Sequence, residues 1–193
     1  MSTLPKMQHG IAGTRLLTGL VAATLFMLTA CSKKSQNPTE DADHAAITTV
    51  ILSFKQAGVV KYEAVFDDPD GVGGNPPVRY DAIELQRGST YDMDITLQNK
   101  QGGTTKDMTA SIRNAGRFHE FFFIPAGVTV NITKNDKDTQ GNPLGFNSTW
   151  VTQPVAGTGT LQLKLQHMLL KKEVNQPTDG HSDININFAL QIN

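Results

Sequence analysis

The sequence predicts an all-β fold: an antiparallel, immunoglobulin-like β-sandwich of about nine strands with one short helix, following an N-terminal signal and linker. Three observations support this. From residue 46 onward, apolar and polar residues alternate with a period of two in short runs, as in strands with one buried face. Gly, Pro, Asn and Asp separate the runs, and these are turn residues. Residues 46–193 also match the size of a single domain, about 100–200 residues.

The elements follow in order. Lys6 and Arg15 precede an uncharged, mostly apolar stretch that ends in Leu28-Thr29-Ala30-Cys31. A basic start, an apolar stretch and small residues at its end make a secretory signal. Because the residue after the small ones is the only cysteine, the signal reads as that of a bacterial lipoprotein. Residues 1–30 are then the signal, and Cys31 carries palmitate-type acyl chains on its sulfur and amino group. A transmembrane helix is the alternative, but the stretch is roughly 15 residues and a span needs about 20. Two or more acyl chains anchor firmly, at about 0.8 kcal/mol per buried CH₂. Residues 31–45 form a polar linker (Lys33, Lys34, Pro38, Glu40, Asp41, Asp43), too poor in apolar surface to order itself.

Residues 46–193 are the sandwich domain. Strands are expected at 47–54, 59–67, 79–85, 90–98, 118–124, 128–133, 147–152, 161–166 and 184–192. The clearest is 90–98, where Tyr91, Met93, Ile95 and Leu97 alternate with Asp92, Asp94, Thr96 and Gln98. Residues 118–124 are apolar on both faces and read as a central strand. Met108, Ile112 and Ala115 recur at helical spacing, so a short helix is expected over 107–116, with Asp107 as its cap.

The precursor has 17 basic and 18 acidic residues and a formal charge of −1. Loss of Lys6 and Arg15 with the signal makes the mature chain more acidic. Nucleic acid is not an expected partner, since it needs a concentrated basic face. Cys31 has no cysteine partner within the chain, so the core must stabilise the domain without a disulfide.

Two acidic loops and two histidines are the candidate metal ligands. Asp68 and Asp70 lie in Asp68-Pro69-Asp70-Gly71, and Asp136 and Asp138 in Asn135-Asp136-Lys137-Asp138. Alternating carboxylates before a glycine can wrap Ca²⁺. The second loop approaches the EF-hand pattern, with Asp136, Asp138 and Gly141 in place, but Gln140 and Asn147 stand where ligands are required. Hairpin turns explain the same residues. His119-Glu120 begins like a zinc-protease motif, but Phe123 occupies the second histidine's position. His167 keeps the parity of Leu161, Leu163 and Leu165, so it faces the core at a strand end. There it could meet His119 and bind Zn²⁺; two hydrogen-bonded histidines are the alternative.

Catalytic motifs are missing: there is no G-x-S-x-G elbow, and Asp92 and Asp94 suit a solvated strand face. The expectation is therefore a binding protein, not an enzyme, with no obligatory cofactor. A Ca²⁺- or Zn²⁺-binding lipoprotein and an envelope glycan binder or hydrolase are the alternatives.

Several segments resemble, as an ordered set, a family of small β-sandwich lipoproteins of Bacteroidota. These are Leu28–Cys31, Ile47-Thr48-Thr49-Val50, Asp68 through Val78, His119-Glu120-Phe121-Phe122-Phe123, Asn135 through Gly145, and Asp183-Ile184-Asn185-Ile186-Asn187-Phe188. Members often accompany TonB-dependent receptors. The resemblance implies an outer-membrane lipoprotein with an accessory role in nutrient or metal uptake. Ser32-Lys33-Lys34 follows the lipid cysteine where surface-displayed members carry acidic residues, so the membrane face stays open.

Overall fold

The computed structural model describes residues 47–71, 73–168, 176–178 and 180–193. The signal, Cys31 and the linker lie outside the described residues. Among the described residues eleven strands are present: β1 (Thr49–Gln56), β2 (Val59–Asp67), β3 (Arg79–Tyr80), β4 (Ile83–Leu85), β5 (Thr90–Asn99), β6 (Lys106–Asp107), β7 (His119–Ala126), β8 (Val130–Lys134), β9 (Asn147–Thr152), β10 (Gly157–His167) and β11 (His181–Ile192). The one α-helix among the described residues, α1, spans Thr109–Asn114. One sheet has seven strands, in the order β3-β2-β1-β5-β9-β8 with β6 on β5. The other has four, in the order β4-β11-β10-β7. Among the described residues no helix is long and apolar enough to cross a membrane.

Alternation along the strands builds the core. Tyr91, Met93, Ile95 and Leu97 of β5 are buried, as are Leu161, Leu163 and Leu165 of β10 and Ile184 through Ile192 at alternate positions of β11. They join one hydrophobic cluster drawn from both sheets. Trp150 of β9 is fully buried, and its ring meets Phe54 at 5.1 Å and Phe123 at 5.6 Å, both edge-on. The Phe123 contact links the two sheets. Each such side chain contributes about 1.5–3 kcal/mol through burial. Asp94 points outward from β5 and pairs with Lys55 at 2.5 Å.

The structure corrects three expectations. First, segment 79–85 is two strands on different sheets. Asp81 intervenes, donating its N–H to the Val65 carbonyl at 3.0 Å and accepting the Val65 N–H through Oδ2 at 3.0 Å. The chain then crosses over, and β4 pairs with β11 in parallel, Ile83 opposite Leu190. The sandwich is therefore mixed rather than wholly antiparallel. With the additional short β6, eleven strands are present among the described residues rather than about nine. Second, β7 is an edge strand, not a central one. Its edge is closed where Phe121 N–H donates to the Leu144 carbonyl at 2.8 Å. Its second face is covered where Lys134 Nζ sits 4.3 Å over the Phe122 ring. Third, the helix is shorter than 107–116. Asp107 Oδ1 accepts the Thr109 N–H at 2.8 Å near its start. After α1 the chain tightens into a 3₁₀ turn, Gly116–Phe118, which leads directly into His119.

Candidate metal centre

Three histidines form one cross-strand row at the end of the four-stranded sheet. His119 opens β7, His167 closes β10 and His181 opens β11. In the strand register His119 lies opposite His167, and His167 opposite His181. Side chains directly opposite on neighbouring strands are close enough to touch. The His119 and His167 rings stack with centroids 4.6 Å apart, and the His167 and His181 rings are 4.9 Å apart. His119 and His167 are buried at 0% and 4% exposure.

A β-bulge adds a carboxylate to this row. Leu165 pairs with Ile184, but Gln166 pairs with Ser182, so Asp183 is skipped. Simple alternation from the buried Ile184 would put Asp183 on the opposite face; a bulge re-aims the side chain it carries. Asp183 Oδ2 lies 3.4 Å from His119 Nε2, and Oδ1 lies 3.2 Å from His181 Nε2. The Asp183 side chain is only 3% exposed. Gly180, next to His181, is left-handed at φ +71°, and a Cβ there would overlap the His167 carbonyl oxygen. Only glycine permits so close an approach in that conformation.

The donor geometry suits a cation. His119 Nδ1 lies 2.9 Å from the Ala115 carbonyl. A carbonyl only accepts, so Nδ1 donates to it and Nε2 faces Asp183. This is how a supporting carbonyl fixes the tautomer of a metal-bound histidine. His119, His167 and Asp183 each offer one ligand atom, all within 4.8 Å of one another. Tetrahedral zinc with bonds near 2.1 Å places its ligand atoms about 3.4 Å apart, close to the His119–Asp183 separation. Among the described residues, Asp183 Oδ2 is buried and has no hydrogen-bond partner. A buried carboxylate left in that state is costly unless a charge compensates it. Two imidazoles and one carboxylate are a donor set for zinc and its neighbours rather than for calcium, which takes oxygens.

The other sequence candidates lie elsewhere. Asp136 Oδ1 accepts the Gly145 N–H at 2.8 Å, and its Oδ2 accepts from Phe146 N–H at 3.1 Å and Arg113 at 3.4 Å. Asp138 Oδ1 accepts from the Gln140 and Asn142 N–H groups at 2.8 and 2.9 Å. These carboxylates close the loop's own turns. Asp70 Oδ2 accepts from the Asn75 backbone and side chain, each at 2.8 Å, which holds the Asp70 carboxyl below the ordinary range. Burial and the Asp70 carboxyl push the Asp68 carboxyl above that range. Glu120, beside His119 in sequence, bonds Lys134 at 2.6 Å.

Asp183 and His181 were not among the sequence candidates. Alternation from Ile184 would also put His181 on the outer face; the same bulge brings it opposite His167. Asp183 had no local signal, because the bulge that turns it inward depends on pairing with β10. No family model, curated protein or solved structure matches the chain, and the chemistry assigned to this centre derives from its own residues.

Proposed function

We propose that this protein is a lipid-anchored metal-binding protein of the bacterial cell envelope. Its sandwich domain holds a divalent ion of the zinc class between His119, His167 and Asp183. The observation that carries this reading is the convergence of two buried imidazoles and a buried carboxylate within 4.8 Å. Anchoring is assigned to Cys31 on the strength of Leu28-Thr29-Ala30-Cys31. A bound cation as cargo is compatible with an accessory role beside an outer-membrane uptake receptor.

Elemental analysis and thermal melting of the full chain in detergent test the reading. One zinc-class ion per chain is expected, with a melting point that falls on chelation. Zinc at a hundredfold over its dissociation constant adds about 2.7 kcal/mol, or about 5–10 °C for a domain of this size. His167→Ala should abolish both effects. A chain that takes up no ion and melts identically with and without EDTA overturns the reading.

A further inference from the structure

We infer that His181 is a fourth, exchangeable ligand, so that this centre loads and releases its metal rather than holding it permanently. The inference rests on the metal reading above. The three-residue cluster is enclosed, but His181 is not: its side chain is 56% exposed. It belongs to the same cross-strand row, its ring is 4.9 Å from that of His167, and its Nε2 is 3.2 Å from Asp183 Oδ1. A fourth ligand at this position would complete a tetrahedron with His119, His167 and Asp183.

Position decides the role. Structural zinc sites are closed by four protein ligands, whereas catalytic sites keep three and leave one place for water or substrate. Here three ligands are buried and the fourth stands in solvent. His181 can leave by rotating about its own bonds while β11 stays paired, because its side chain is more than half exposed. Exchange is then a ligand swap: the metal–His181 bond breaks, a bond to an incoming neutral imidazole forms, and no electron or proton moves.

The test uses full chain in detergent, loaded with one equivalent of Zn²⁺, and follows transfer to a chromogenic chelator. His181→Gln should release zinc about tenfold faster or more than the unaltered protein, with the apo melting point unchanged. Ser182→Ala, one residue away, should release at the original rate. Loaded with Co²⁺, His181→Gln should lose the visible spectrum of a tetrahedron of three nitrogens and one oxygen, and excess imidazole should restore it. If the unaltered protein binds one zinc but His181→Gln releases it no faster and shows the same cobalt spectrum, the exchange role is overturned while the three-ligand site stands. If the unaltered protein binds no zinc, both readings are overturned.

Discussion

His119 and His167 stack within 26° of parallel, their ring centroids 4.6 Å apart, where the paired ends of β7 and β10 meet. Both are buried, and the Asp183 carboxylate approaches His119 from the bulge of β11. Imidazole and carboxylate groups together are zinc ligands, and a divalent cation would bridge these three side chains.

Asp183→Asn keeps the size of the side chain and removes its charge. Zinc affinity should fall by more than the roughly 10–100-fold that follows loss of a supporting partner, with the far-ultraviolet spectrum unchanged. Calorimetric titration of both proteins measures it. Equal affinities would exclude the carboxylate as a ligand.

Gly180→Ala forces a Cβ into a left-handed residue against the His167 carbonyl. A destabilisation of about 1–3 kcal/mol is expected, with weaker zinc binding because the end of β10 must shift. An unchanged melting point would show that the strand end yields without cost.

Leu163→Asp and Phe188→Asp each place a carboxylate at a fully buried position facing the common core. Such a charge without a partner should exceed the roughly 5–15 kcal/mol by which domains are stable. Circular dichroism should show an unfolded chain. A cooperative melt near that of the original would contradict the inward orientation of these strands.

Cys31→Ser removes the sulfur to which the first acyl chain attaches. The protein should move from the membrane to the soluble fraction, since firm anchoring needs two or more chains. Continued sedimentation with membranes would point to another mode of attachment.

Alternation is a local property, and so the strand regions were legible in the sequence. Tyr91 through Leu97 and Ile184 through Ile192 announce their buried faces without reference to any neighbour. The same parity put His167 on the core side with Leu161, Leu163 and Leu165, and its ring does stack on that of His119. Phe121-Phe122-Phe123 misled, because two apolar faces read alike whether a second sheet or a single lysine covers one of them.

Sequence by itself determined the all-β class, the inward-facing residues and the motif at Cys31, because each depends on residues close together in the chain. Only the tertiary structure decided that β4 joins β11 in parallel, that β7 lies at an edge, and that Asp183 turns toward three histidines. Those outcomes depend on strand register between segments far apart in sequence. A one-residue slip in pairing reverses the face a side chain occupies, and no local pattern encodes where the slip falls.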